Sequence, residues 1–186
     1  MQQYDELAAA RAVELLGFGS MNLQLARHWL SLWKNSEPPP RDAIKPRDVK
    51  NLLPGIAILE MRSDGSVICR LAGSAIAMGL GVDPTGKDVI AITPPEYRAI
   101  RLSRYQRVLD GAVSRCVKPH LTRFGTTVLV EDIQLPLGGV STEGGRQILY
   151  HADWRPQTLD RSIAEISDAF AVTIDESFPI VRAAAA

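Results

Sequence analysis

The chain has 186 residues, 46% of them hydrophobic and 23% charged, and these values exclude a disordered or fibrous protein. Lysine and arginine number 21, as do aspartate and glutamate, so no overall charge attracts nucleic acid or anionic lipid. No apolar run reaches the ~18 residues of a membrane helix, and no basic leader begins the chain. We therefore expect a cytoplasmic protein, with neither a membrane nor a nucleic acid as its partner.

Two helices are predicted in the first 36 residues. The first has apolar residues at spacings of three and four, namely Tyr4, Leu7, Ala8, Ala12 and Leu15. The second starts at Ser20, a residue type that favours the N-cap, and its stripe comprises Leu25, Ala26, Trp29, Leu30 and Trp33. Neither stripe is covered within its own segment. Each is expected to pack on a sheet, on the other helix or on a partner chain.

A proline-rich connector, 37–41, separates these helices from a region with the period of strands. Two strands are predicted over 56–62 and 66–71, because Asp64-Gly65 between apolar runs is typical of a hairpin turn. Small residues and glycines over 73–89 indicate short helices joined by tight turns.

A long helix is predicted from the sequence Thr93-Pro94-Pro95-Glu96, which has the form of a capping box with Thr93 at the N-cap. The helix should run to about Asp110 and end at Gly111. Its buried side should consist of Leu102, Tyr105 and Leu109.

Three further strands are predicted over 115–122, 126–135 and 146–154. Pro119 lies inside the first of them and lacks a backbone donor, which predicts an edge strand. The tail after Trp154 is ambiguous. Asp160 can cap a helix, but the segment 170–174 has strand composition.

The order of two strands, a helical middle and three strands resembles a PAS domain. A series of motifs resembles those of short, often single-domain bacterial PAS proteins: Leu52-Leu53-Pro54, Arg70-Leu71-Ala72-Gly73-Ser74, Gly81-Val82-Asp83-Pro84-Thr85-Gly86 and Leu135-Pro136-Leu137. The resemblance implies an α+β fold with a five-stranded antiparallel sheet and helices on one face. On this reading, 1–36 is an N-terminal helical extension, 37–156 the PAS-like domain and 157–186 a tail of uncertain structure.

A ligand pocket is predicted between the sheet and the helices of 73–110, although the same small apolar residues would also fill a solid core. The expected pocket residues are Arg70, Ala75, Met78, Leu102, Tyr105 and Glu131. Glu131 shares a strand face with Leu129 and Ile133, so its carboxylate must be paired, protonated or at the margin of the core. Arg70 is a possible partner, and an internal ion pair without any ligand is the alternative.

Neither a cofactor nor a metal is predicted. His120 and His151 fall on the more polar faces of their strands, a poor position for an axial haem ligand, and no metal-ligand spacing is present. Cys69 is expected to be a small buried hydrophobe, and the wide separation of Cys69 and Cys116 fits a reducing compartment. The ligand, if any, is an unidentified small molecule.

Three functions fit these observations. The first is a non-catalytic sensor or regulatory module that acts through contacts with a signalling protein. The second is a pure interaction module, and a homodimer through Tyr4, Leu7 and Leu15 is predicted for this chain. The third is a small enzyme on a cone-like α+β barrel, with Glu131 as its pocket carboxylate. We prefer the first because the PAS resemblance implies sensing and no chemistry.

Overall fold

A computed structural model describes residues 3–121, 127–155 and 174–181, which form an α+β protein. The helices are α1 (Glu6–Leu15), α2 (Ser20–Ser31), α3 (Ser74–Leu80) and α4 (Pro95–Leu109), with short 3₁₀ turns between Arg41 and Gly55. The strands are β1 (Ile56–Met61), β2 (Val67–Ala72), β3 (Ala112–Leu121), β4 (Thr127–Pro136), β5 (Arg146–Arg155) and β6 (Ile174–Pro179). Across these described ranges, none of the helices is both long enough and apolar enough to cross a bilayer.

The strands form one antiparallel sheet in the order β2-β1-β5-β4-β3-β6. The predicted α+β, PAS-like arrangement of two strands, a helical middle and three strands is confirmed. The sheet has six strands instead of the expected five, because the C-terminal segment adds β6. The possible helix from Asp160 lies outside the described residues.

Strand β6 also changes which strand lies at the edge. It pairs with β3 from Ala112, opposite Pro179, to Val117, opposite Ile174. The prediction that β3 is an edge strand is therefore wrong for 112–117. The described pairing stops two residues before Pro119, so the proline meets no β6 partner that would need its missing donor.

The sheet separates two hydrophobic cores. Helices α1 and α2 cover one face, where Ile58, Ile133 and Leu149 are buried. Helices α3 and α4 lie over the other face, where Leu59 and Ile148 are buried. Neighbouring residues of a strand point to opposite faces, which is why Ile58 and Leu59 enter different cores. The expectation of helices on one face thus needs correction, because α1 and α2 cover the second face.

Helix α1 begins at an aspartate cap, since Oδ1 of Asp5 accepts hydrogen bonds from the backbone N–H groups of Leu7 and Ala8. Its buried face differs from the predicted one and consists of Ala9, Ala12, Val13 and Leu16. Leu7 is 83% exposed and Leu15 is 56% exposed. Because alanine contributes little to a hydrophobic stripe, the pattern favoured the larger leucines.

Helix α2 buries the residues that the sequence predicts. Leu25, Ala26 and Trp29 are fully buried, and Trp29 meets Trp33 edge to face with ring centroids 5.1 Å apart. The indole Nε1 of Trp29 donates to the carbonyl oxygen of Pro136 at 3.0 Å. This bond joins the helix to the end of β4.

Helix α4 ends before Gly111 as predicted, but its start is different. Pro94 occupies the N-cap position, and the hydroxyl of Thr93 is buried and donates to the carbonyl oxygen of Val89 at 2.6 Å. Thr93 is therefore not the cap. Tyr105 is buried on this helix as expected, and so is Arg104, whose burial the apolar pattern does not reveal.

Candidate functional site

A cavity of about 170 Å³ lies between the sheet and helices α3 and α4. Most of its wall is aliphatic or small, and comprises Ala57, Leu59, Cys69, Ile76, Leu80, Pro84, Val89, Ile92, Ile100 and Val130. Its aromatic wall comprises Tyr97, Tyr105, His120, Tyr150 and Trp154. A cavity of roughly 150 Å³ is known to hold benzene in another protein, so the space suits a molecule of about one ring.

The four remaining lining residues are polar: Thr93 just before α4, Arg101 and Arg104 on α4, and Lys118 on β3. On α4, Arg101, Arg104 and Tyr105 are three and four positions apart, so they share one helical face. On β3, Lys118 and His120 alternate with Val117 and therefore point to the α4 side of the sheet. Among the described lining residues there are three cations and no carboxylate.

The positive charge of Lys118 is compensated by a carboxylate that does not itself line the cavity. Its Nζ lies 2.9 Å from Oδ2 of Asp132, a fully buried carboxylate that also accepts from the Tyr150 hydroxyl at 3.2 Å. Burial opposes the charge of Lys118, but Asp132 outweighs it and raises the pKa of the amine. Burial raises the pKa of Tyr150 well above its ordinary value, so this phenol stays a neutral donor.

The positive charge of Arg104 is compensated by a carboxylate on the edge strand β6. Its Nε and Nη2 contact the two carboxylate oxygens of Asp175 on β6 at 3.0 and 3.1 Å, a forked pair. Arg107 contacts the same carboxylate at 3.1 Å. Burial alone would raise the pKa of Asp175, but the hydrogen bonds and charges of the two arginines bring that pKa below its ordinary value.

Arg101 differs from the other two cations. Its Nε donates to the Tyr105 hydroxyl at 2.9 Å and its Nη1 donates to the Thr93 hydroxyl at 2.7 Å. Its guanidinium carbon lies 5.7 Å from the centroid of the Tyr105 ring. In the described parts of the chain no carboxylate lies within ion-pair distance of Arg101, and Asp132, which pairs with Lys118, acts on its charge only from a longer distance.

His120 lines the cavity, contrary to the expectation that it sits on an unfavourable polar face. Its Nε2 lies 2.9 Å from the carbonyl oxygen of Gly79, and its ring meets Trp154 edge to face at 4.7 Å. Burial lowers the pKa of His120 below its ordinary value, which favours the neutral ring. Within the described residues, no three side chains of His, Cys, Asp or Glu are placed to hold a metal ion.

Glu131 lies on the opposite face of the sheet, beneath the start of α2. Its Oε1 accepts from Nε of Arg115 at 2.8 Å, and its Oε2 accepts from the backbone N–H of Gly19 at 2.9 Å and from Nδ2 of Asn22 at 2.8 Å. Of the three alternatives expected for this carboxylate, the structure shows a paired one, and its partner is Arg115. The enzyme reading, which needed Glu131 in a pocket, loses its carboxylate.

His151 belongs to the same network and is 1% exposed, so the polar-face prediction is wrong for this histidine too. Its Nδ1 lies 2.6 Å from Oδ1 of Asn22. Since Nδ2 of Asn22 donates to Glu131, its Oδ1 must accept, and Nδ1 of His151 therefore carries the proton. Burial lowers the pKa of His151 to about 4, so the ring is neutral at ordinary pH.

Arg70 is far from Glu131 because β1 and β5 lie between their strands. Its Nη2 contacts Glu143 at 2.9 Å, and its Nε lies 3.8 Å from the buried carboxylate of Glu60. The suggested pairing of Arg70 with Glu131 is wrong, because it crosses two intervening strands.

Of the six predicted pocket residues, the structure places Tyr105 in the cavity wall and the others outside it. Met78 is 57% exposed, and Ile76 takes the lining position on α3. Leu102 is half-buried against the same core. The residues that the sequence missed, Arg101 and Lys118, had no distinguishing signal, since cations on a helix or strand usually mark a solvated face.

A family model for the PAS domain matches residues 19–148, well over half of the chain. The chain therefore belongs to the PAS domain family. The finer motif series of short bacterial members stays a prediction.

Two solved structures of the protein VqmA are also similar. One, from Vibrio cholerae, is described as a dimer of a LuxR-type receptor in the absence of target DNA. It is 14% identical to this chain, with a TM-score of 0.45, and the match covers 64% of this chain and 54% of that chain. The other is VqmA bound to DPO, with 14% identity and a TM-score of 0.44, covering 63% and 57%. This chain thus spans little more than half the length of the VqmA chains. No curated protein shows significant similarity to it.

Proposed function

We propose that this chain is a non-catalytic sensor module that binds a small molecule in the cavity between the sheet and helices α3 and α4. The observation that carries the proposal is the cavity itself, with an apolar and aromatic wall and a few converging polar groups, as is typical of small-molecule sites. Membership of the PAS domain family supports a sensing role. The signal passes to a partner through protein contacts.

Binding is favoured over catalysis by the state of the polar groups around the cavity. Asp132 is held by Lys118 and Tyr150, and Asp175 is held by Arg104, so neither carboxylate is available as a base. His120 is hydrogen-bonded to a backbone carbonyl group and flanked by Trp154. These groups are arranged to define a pocket rather than to exchange protons with a substrate.

The test compares two alanine-to-leucine variants of the full chain. Ala57 lines the cavity and is 2% exposed, so Ala57→Leu fills the space, while Ala99→Leu on the exposed side of α4 is the matched control. We expect native mass spectrometry to detect a retained small molecule, or calorimetry to detect binding of the neutral probe indole, in the wild type and in Ala99→Leu. Ala57→Leu should weaken binding by about tenfold or more. Equal binding by all three proteins, or no binding by any, contradicts the proposal.

A homodimer through α1 is the second proposal, and the exposure of Leu7 and Leu15 favours it. The third predicted contact, Tyr4, packs edge to face on Trp33 within the chain, with ring centroids 6.3 Å apart, and contributes less free surface. Removal of α1 would not be a clean test, because Ala9 and Ala12 belong to the core.

Charged substitutions avoid that problem. We expect the wild type to sediment at twice the chain mass of 20.3 kDa, and the double variant Leu7→Glu, Leu15→Glu to sediment as a monomer. Met78→Glu, which changes an exposed residue of α3, should remain a dimer. A monomeric wild type at all concentrations would end this proposal.

A further inference from the structure

The charges around the cavity do not cancel. Three cations line it, and the structure supplies a carboxylate for two of them: Asp132 for Lys118 and Asp175 for Arg104. Arg101 has only neutral acceptors among the described residues, the hydroxyls of Tyr105 and Thr93 and the carbonyl oxygen of Val89. One positive charge therefore remains at the wall of a largely apolar space.

The guanidinium of Arg101 is held in place while part of it stays available. Its Nε and Nη1 are fixed by Tyr105 and Thr93, and Thr93 is itself fixed by Val89. No hydrogen bond joins Nη2 of Arg101 to another described residue, so within the described parts of the chain its two N–H groups have no acceptor. A pre-positioned guanidinium loses little rotational freedom on binding and suits a carboxylate better than a flexible amine does.

A second unused donor lies in the same wall. Nε1 of Trp154 is buried and has no hydrogen-bond partner among the residues that the structure describes. An unpaired buried donor costs free energy, and this nitrogen has too little accessible surface for a bound molecule to reach it unless the indole ring moves. The cavity thus combines an apolar, aromatic space with donors and a surplus positive charge.

We infer that the ligand class of this cavity is a small aromatic or similarly apolar monocarboxylic acid, whose carboxylate pairs with Arg101 while its ring lies against the aromatic wall. A single acidic group matches the single uncompensated charge, whereas a second one would have to compete with Asp132 or Asp175. The inference rests on the proposed ligand-binding function and narrows it to one chemical class.

The experiment uses benzoate and its neutral counterpart benzamide, with calorimetry on the full chain. We expect the wild type to bind benzoate about tenfold more tightly than benzamide, since a charge-assisted hydrogen bond from Nη2 of Arg101 replaces a neutral hydrogen bond. Arg101→Gln should abolish that preference. Arg47→Gln is the matched control, because the Arg47 side chain is 81% exposed, lies outside the cavity lining and pairs with the neighbouring Asp48.

Arg101→Lys supplies a second variant if Arg101→Gln fails to fold, which circular dichroism would reveal. It keeps the charge but loses the planar guanidinium that Tyr105 and Thr93 hold in place, so benzoate should bind several-fold more weakly than to the wild type and still more tightly than benzamide. Loss of all preference in Arg101→Lys contradicts a role for charge at this position.

The outcomes separate the inference from the function on which it rests. Equal binding of benzoate and benzamide overturns the acid class and leaves the sensor cavity intact. If the protein binds indole but neither benzoate nor benzamide, the acid class is likewise overturned and the sensor cavity is not. Preference for benzoate that survives in Arg101→Gln overturns the assignment to Arg101. If benzoate, benzamide and indole all fail to bind, both proposals fall.

Discussion

The two faces of the sheet differ in how completely their side chains contact one another. Beneath α1 and α2, Leu25, Trp29 and Leu135 are fully buried in one continuous core, and Glu131 is bonded on both oxygens. Beneath α3 and α4, a cavity of about 170 Å³ remains, and the guanidinium of Arg101 has no carboxylate within ion-pair distance among the described residues.

Both faces are built by the same alternation along the strands, so this alternation does not explain the difference. The core beneath α1 and α2 stabilises the fold, because its closely packed apolar side chains are removed from water and contact one another. The opposite face forgoes part of that free energy. Such a local departure from full packing is expected at functional sites.

Truncation of matched leucines should show the largest difference between the faces. Leu135→Ala on the packed face should lower the free energy of unfolding by about 4 kcal/mol, and Leu59→Ala beside the cavity by about 2 kcal/mol, since Leu59 has fewer neighbours to lose. Urea denaturation measures both values. Equal losses would show that the cavity side is as tightly packed as the other.

Acid should weaken the packed face through His151. Its pKa falls from the ordinary 6.5 to about 4 on folding, so the unfolded chain binds more protons between these values. The stabilisation is complete above pH 6.5 and is lost as the pH falls toward 4, up to about 3 kcal/mol. We expect urea denaturation of His151→Gln to lack this part of the pH dependence, and identical pH profiles would refute the assignment.

Removing the negative charge of Glu131 beneath α2 should lower the free energy of unfolding by a smaller amount. Glu131→Gln weakens the pair with Arg115 and the bond to Gly19, and we expect a loss of about 2 kcal/mol in the free energy of unfolding. Glu143→Gln is the control, because this carboxylate pairs with Arg62 and Arg70 at the surface and its loss should not be measurable. Thermal or urea denaturation that ranks the two alike would contradict this account.

Replacing a buried alanine by leucine should change the free energy of unfolding least, and the change should have opposite signs on the two faces of the sheet. Ala57→Leu places new methyl groups in the cavity and should stabilise the apo protein by about 1 kcal/mol. Ala26→Leu inserts the same groups into a filled core and should destabilise it by about 1 to 2 kcal/mol. Destabilisation of similar size in both, measured without ligand, would mean that the cavity is not open to a larger side chain.

Much of the fold could be predicted because its signals are local. The hairpin predicted at 56–62 and 66–71 is observed as Ile56–Met61 and Val67–Ala72, since strand period and the Asp64-Gly65 turn lie within a few residues of each other. The buried face of α1 was missed because it depends on distant contacts. The backbone N–H of Asp5 donates to the carbonyl oxygen of Ile180, which fixes the helix against the C-terminal segment.

The site was less predictable than the fold for a related reason. Tyr105 was identified because an aromatic residue on an apolar helical stripe points to the core. Arg101 and Lys118 carry the same charge as any surface cation, and only their three-dimensional partners distinguish them. The contacts of Arg101 with Tyr105 and of Lys118 with Asp132 were not predicted, since the second depends on the register between β3 and β4.

The fork between Arg104 and Asp175 has a further consequence for the C-terminal strand. Arg104 forms part of the cavity wall, while Asp175 is the second residue of β6, the outermost strand. Two parallel hydrogen bonds fix the orientation of Arg104 relative to Asp175. A ligand that displaces the Arg104 guanidinium must therefore either break these bonds or move β6 together with Asp175. The position of β6 at the edge of the sheet is in this way coupled to the molecule that fills the cavity.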